Sequence, residues 1–289
     1  MEARNSNRRQ FLKTGFVATA ALGVGVQAPA IIPAPQSVSG AQKSAIKLGV
    51  ASYSLRKFNR KEAIEMSLAL DAKYINIKSV HLRHKDSPAA LKAGRKEIEA
   101  AGLTIVGGGT ITMHKDTDKD VRANFEYARL CGMPLMVVAP KPEVLPRIEK
   151  FVKEYDIMVA VHNHGPEDKY FPAPRDVLAI IKDMDPRVGC CVDVGHTART
   201  GVDVVEAIAD AGDRVLDMHM KDLSDMMDRD SQVAIGAGKM PVAAIFKQLA
   251  AMNYQGYVNL EYEIFADDPL PGMQQSFAYM RGVRDGLGL

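Results

Sequence analysis

The chain has almost no net charge, few cysteines and no apolar run long enough to cross a membrane, and each shortage removes a class of function. Thirty-seven Lys and Arg against 35 Asp and Glu leave a formal charge of +2, which argues against a strongly basic nucleic-acid binder. The three cysteines, Cys131, Cys190 and Cys191, are odd in number and two are adjacent. Neither a disulfide framework nor a zinc-knuckle spacing is present, and the three read as small buried hydrophobes. The apolar stretch over residues 16–26 falls short of the roughly 20 residues that a spanning helix needs, so stable membrane insertion is not expected. With 47% hydrophobic and 25% charged residues, a disordered chain is excluded as well.

What is there begins with an address. Arg8-Arg9, then Phe11, Leu12 and Lys13, stand before the uncharged apolar stretch, the order of charged and apolar regions in an export signal. This segment resembles the twin-arginine signal, whose pathway carries proteins already folded. The resemblance implies the twin-arginine translocation machinery as a partner and a periplasmic or otherwise exported location. Two small-x-small sites offer cleavage, Ala28-Pro29-Ala30 and Ser39-Gly40-Ala41. Residues 1–42 are therefore read as signal and linker, and 43–289 as one catalytic domain. The signal carries Arg4, Arg8, Arg9 and Lys13 against Glu2, so the remainder is nearly neutral.

Beyond residue 43, β-rich apolar runs alternate with helical periodicity. Strands are predicted at 46–51, 73–79, 103–108, 134–139, 157–162, 188–193, 214–219 and 256–261. Helices are predicted at 60–71, 88–101, 118–130, 143–155, 175–183, 202–211, 242–252 and 273–285. Eight βα units of about 30 residues, with one long insertion after the seventh strand, predict a single-domain (β/α)8 TIM barrel. A doubly wound sheet would carry a Gly-rich phosphate turn after its first strand, and Ala51-Ser52-Tyr53-Ser54-Leu55 is not one. Gly107-Gly108-Gly109 is no P-loop either, since no Gly-Lys-Ser/Thr follows; these glycines are expected to let backbone approach the pocket.

Barrel active sites lie at the carboxyl ends of the strands. Strands five to eight end in His162, Asp193, His219 and Glu261, and period-two alternation turns all four inward, while Val161, Val192, Met218 and Leu260 face the helices. The strand interiors otherwise read as apolar. Two imidazoles and two carboxylates suit one divalent ion of intermediate hardness, Mn²⁺, Co²⁺, Fe²⁺ or Zn²⁺; folding in the cytoplasm before export would favour Mn²⁺ among them. His164 and His196 stand just beyond these ligands, placed to orient substrate oxygens. Lys221 can bring a cation to a developing oxyanion, although Lys221-Asp222 also reads as a surface ion pair. Lys78 and His81, at the end of strand two, are expected substrate contacts, whereas His84 and His114 are expected to be solvated. The insertion from Asp228 to Lys239 is long enough for a lid.

The Asp193-x-Gly195-His196 and His219-x-Lys221-Asp222 steps, the Gly236-x-Gly238 turn and the closing Gly256-Tyr257-x-x-x-Glu261 resemble the xylose-isomerase-like TIM-barrel superfamily of sugar phosphate isomerases and epimerases. The likeness implies metal positions at Asp193, His219 and Glu261, and a substrate contact at His196. It implies proton abstraction beside the carbonyl of a keto sugar or cyclitol through a metal-stabilised enediolate, with Glu261 as base and Lys221 or a water held by His164 as acid. Keto-sugar epimerases of the family usually have Glu where this chain has His162, and two carboxylates serve the two faces of the sugar. A lyase or hydratase acting on 3-keto-glycosides or cyclitols is the alternative, with Glu263 as a carboxylate that could restore the pair. A non-catalytic carbohydrate-binding barrel is a third reading. DNA-repair endonucleases share this barrel, but their Asp-Arg-His step is Asp228-Arg229-Asp230 here, so nucleic acid is not an expected partner. A homo-oligomer is compatible with the sequence.

Overall fold

The computed structural model describes residues 46–289; the signal and its cleavage sites lie outside the described residues. The barrel strands are β1 (Lys47–Ala51), β2 (Tyr74–Ile77), β3 (Thr104–Met113), β4 (Leu135–Pro140), β5 (Met158–His162), β6 (Val188–Asp193) and β7 (Val215–Met220). Two short strands follow, β8 (Asp222–Leu223) and β9 (Gln232–Val233), and β10 (Tyr257–Leu260) completes the set. Among the described residues, eight parallel strands close in the order β1-β10-β7-β6-β5-β4-β3-β2, while β8 and β9 form a separate antiparallel pair. This is the TIM barrel that the βα repeat predicts.

Several helices begin where the sequence supplies caps. Asn59 and Glu62 make a reciprocal capping box at Arg60–Ala69. Ser87 caps Pro88–Ala100, whose proline occupies a first-turn position that needs no N–H partner. Thr117 caps Asp118–Cys131. No helix among the described residues is long and apolar enough to cross a membrane.

Alternation along the strands divides the core in two. Val159, Val161, Cys190, Val192, Met218 and Leu260 join the large cluster, whereas Val137, Ala160 and Cys191 form a small one with Leu135. Cys131, Cys190 and Cys191 are all buried and free, as small hydrophobes should be.

The barrel interior is not purely apolar, which differs from the sequence expectation. Asp217 on β7 is buried and accepts one amide on each carboxylate oxygen, Asn76 Nδ2 at 2.8 Å and Asn259 Nδ2 at 2.7 Å. Paired donors make the buried carboxylate tolerable, although burial still pushes its pKa up to about 6. This polar layer comes from the same inward parity as the strand-end residues, two positions earlier on β7 and β10.

Candidate active site

His162 is the last residue of β5, Asp193 the last of β6, His219 lies next to last on β7, and Glu261 immediately follows β10. All four are buried, and one ligand atom from each lies within 4.8 Å of the others. His162 Nε2 is 2.9 Å from His219 Nδ1 and 3.6 Å from Asp193 Oδ2, and His219 Nδ1 is 3.3 Å from Glu261 Oε2. Donors about one ion at 2.0–2.2 Å stand roughly 2.8–3.6 Å apart, so these separations are those of ligands to a common centre. Asp193 Oδ2 also lacks a well-directed hydrogen bond. The donor set fits a divalent metal.

The protonation states respond to the same crowding, and a metal would have to displace the proton that His219 favours. Burial, reinforced by His164 and His219, drives the His162 pKa well below the ordinary value, which keeps the imidazole in its neutral, ligating form. Burial works against charge at His219 too, but Glu261, Asp217 and Asp193 outweigh it and raise its pKa. Burial would likewise raise Asp193 and Glu261. His196 and Lys221 overcome it at the first, His219 and Lys221 at the second, and both carboxyls stay well below the usual range.

Lys221 is the cation at the centre of this cluster. Its Nζ lies 2.9 Å from Asp193 Oδ2, 3.0 Å from Glu261 Oε2 and 2.6 Å from Glu263 Oε1. Burial disfavours the ammonium, but the three carboxylates prevail and raise its pKa well above the ordinary value. Three carboxylates and one ammonium leave two negative charges, the complement of one divalent ion. Gly195 makes room for this stem: a Cβ there would lie 2.6 Å from Lys221 Cδ and 2.7 Å from Cγ. The glycine of the Asp193-x-Gly195-His196 step is therefore a packing requirement.

Above the cluster opens a cavity of about 800 Å³. Lys78, His164, His196, Lys221, Glu261 and Glu263 all line it. Lys78 lies over the Tyr53 ring at 4.8 Å, and burial lowers its pKa against the pull of Glu261 and Glu263. His164 Nδ1 faces Asp168 Oδ2 at 3.2 Å. His81 is placed elsewhere. Its ring is buried with Nδ1 3.0 Å from Ser52 Oγ and Nε2 3.2 Å from the Leu55 carbonyl, and it is absent from the cavity wall. Ser52 lies in a one-turn helix, Ser52–Leu55, that strand periodicity does not reveal. His84 and His114 are exposed, and His84 stacks on Tyr127 at 3.8 Å.

Residues 62–283 match the family model described as xylose isomerase-like TIM barrel. The chain belongs to the xylose isomerase-like TIM-barrel family. A 46-residue segment is 46% identical to the 3-dehydro-D-guloside 4-epimerase of Escherichia coli strain K12, covering 16% of this chain and 18% of that protein. Matches to the curated relatives span less than half of those proteins' lengths. The IolI protein, solved with a zinc atom, shares the fold at a TM-score of 0.72 and 15% identity, over 83% of this chain and 99% of that one. The probable 3-DHS dehydratase from Bacillus anthracis does so at 0.67 and 11%, over 82% and 99%.

Among family members, loops after the strands vary the cavity while the barrel stays fixed, and here the insertion after β7 is built into the wall. Asp222 is buried and makes no ion pair with Lys221. Its carboxylate instead accepts the backbone N–H groups of Leu223, Gly236, Gly238 and Met240, at 2.8–3.1 Å. A surface ion pair, the reading suggested by adjacency in sequence, is thus replaced by a loop anchor. Gln232, on β9, donates to the Glu261 carbonyl at 2.7 Å and accepts from the Glu263 N–H at 3.0 Å. Arg229, Asp230 and Gln232 thereby join the cavity wall. Asp222→Ala would leave four N–H groups without their acceptor, and a stability loss of about 3 kcal/mol is expected. Urea unfolding measures it, and limited proteolysis should show new cuts within residues 224–239.

Proposed function

We propose that the protein is a divalent-metal enzyme that removes a proton from the carbon beside the carbonyl of a keto sugar or cyclitol. The observation that carries this reading is the buried quartet of His162, Asp193, His219 and Glu261 beneath a cavity already supplied with the Lys221 ammonium. A bound divalent ion, Mn²⁺ for preference, supplies Lewis-acid polarisation of neighbouring substrate oxygens. Glu261 takes the proton, because it is the ligand carboxylate that also lines the cavity. In the resting site Lys221 suppresses the basicity of Glu261. As negative charge develops on the substrate oxygen, the ammonium turns its hydrogen bond toward that oxygen, and Glu261 becomes the stronger base. Lys221 holds its own proton too tightly to release it readily, so a water held by His164 returns the proton. Lys78 and His196 orient the substrate hydroxyls.

A lyase or hydratase reading is favoured by one specific residue. His162 stands where the family's keto-sugar epimerases usually have Glu, and an imidazole whose lone pair is given to a metal is a poor substitute for a second carboxylate base. Glu263 lines the cavity together with Glu167, Asp168 and Asp230, but it is bound to Lys221 at 2.6 Å. Elimination needs only one such base, with the acid on another group.

The reading includes export by the twin-arginine route, so that the site acquires its ion in the cytoplasm before meeting periplasmic copper and zinc, which bind such sites more tightly. The test is metal analysis of protein matured in vivo, followed by solvent-deuterium exchange into 3-keto-glycosides, ketohexoses and inososes. One equivalent of Mn²⁺ and exchange beside the carbonyl are expected, and NMR of the product separates isomerisation from elimination. Stoichiometric copper or zinc would count against the loading route. Metal-free protein with no exchange in any of these substrates would favour the binding-barrel reading instead.

A further inference from the structure

Arg199 is an unused charge beside the site. It ends a short helix, Val194–Arg199, and its side chain is 5% exposed. Both terminal nitrogens reach Glu167, Nη1 at Oε1 and Nη2 2.7 Å from Oε2. Glu167 comes from the loop after β5, so the pair ties that loop to the helix. The same Nη2 is 2.9 Å from His196 Nδ1. Space for the guanidinium depends on Gly165, which has φ +84° and whose Cβ would lie 2.5 Å from Nη2.

A guanidinium has donors and no acceptor, and it keeps its charge at any ordinary pH. His196 Nδ1 must therefore accept, which places the single proton of the neutral ring on Nε2. Nε2 is the atom turned toward the ligand cluster, 3.9 Å from Asp193 Oδ2. The backbone holds the ring from below, since the His196 N–H donates to Asp193 Oδ1 at 2.8 Å.

We propose that Arg199, anchored by Glu167, is a positioning residue that fixes His196 as an Nε2–H donor to a substrate oxygen and denies it the role of general base. The effect on turnover rests on the enzyme reading above; the tautomer does not. A base at this position would need a free Nε2 lone pair, which the hydrogen bond at Nδ1 removes. His196 thus polarises or orients an oxygen, and proton abstraction is left to Glu261.

The test is long-range ¹H–¹⁵N NMR of the full-length protein labelled in histidine and loaded with diamagnetic Zn²⁺, with His196 assigned through the signals lost in His196→Gln. The wild type should show a protonated Nε2 and an unprotonated Nδ1 at pH 7.5. Arg199→Met should lose that single tautomer and lower kcat on the order of 10- to 100-fold, with KM little changed. Glu167→Gln keeps the guanidinium but loosens its anchor; it should weaken the tautomer preference, with a smaller fall in kcat. An Nδ1–H or doubly protonated His196 in the wild type overturns the proposal, and this outcome requires no variant to fold. So does an Arg199→Met protein of lowered Tm with an unchanged tautomer. A wild type with the Nε2–H tautomer and no exchange in any keto sugar overturns the enzyme reading and leaves the tautomer lock standing.

Discussion

Glu261→Gln is expected to reduce solvent-hydrogen exchange into substrate by on the order of 10³-fold or more at saturating metal, because it removes the proposed base and one metal ligand together. The substitution is nearly isosteric in a residue only 6% exposed, so the fold should survive. The backbone contact from Gln232 to the Glu261 carbonyl does not involve the side chain, and β10 should keep its end. Metal titration by calorimetry separates the two losses. Weaker binding with exchange restored at high metal concentration would make Glu261 a ligand alone. Exchange absent at full occupancy would make it the base as well. Full exchange at ordinary metal concentration would remove it from the chemistry.

Lys221→Met should produce the largest change in stability of the metal-free protein, a loss of about 3–5 kcal/mol at pH 8, the usual cost of removing one partner from a buried ion pair. Asp193 and Glu261 would then stand buried beside each other without the ammonium that lies 2.9–3.0 Å from both. The sign of the pH dependence follows from linkage. Lys221 helps His196 and His219 hold the two carboxyls below the usual range, so its removal raises both folded pKa values relative to the wild type, and the folded variant gains protons that the folded wild type does not bind as pH falls. The deficit should therefore be smaller at pH 5 than at pH 8. A divalent ion replaces the missing positive charge, so the Tm gain on adding metal should be larger in Lys221→Met than in the wild type. Thermal unfolding with and without metal, at both pH values, measures each part. An unchanged metal-free Tm would mean that Lys221 does not compensate the two carboxylates.

The quartet was legible in the sequence because strand direction is rigid. Once β5, β6, β7 and β10 are identified, the two-residue period decides which side chain faces inward, and His162, Asp193, His219 and Glu261 follow from position alone. The same rule reaches Asp217 and Asn259, but an inward polar residue in mid-strand has no meaning until Asn76 is seen to face it across the barrel. Arg199, Glu167, Gln232 and Asp222 were not legible as a group. Their directions are set by a short helix, a glycine with positive φ and a hairpin, none of which has a period that sequence can display. His81 shows the converse error: it sits correctly beyond a strand end, yet the Ser52–Leu55 turn offers it two nearer partners than any substrate.

The anchoring of the post-β7 insertion has a consequence for how such barrels change their tastes. Asp222 clasps the chain at Leu223 on one side and at Gly236, Gly238 and Met240 on the other. The segment between is held like a stone in a setting, with its two ends fixed whatever its content. Residues 224–231 can then be exchanged as a cassette, altering Arg229 and Asp230 on the rim without disturbing the carboxylates below. The rim of the cavity is thus a place where the chain can vary while the anchors at Leu223, Gly236, Gly238 and Met240 stay put.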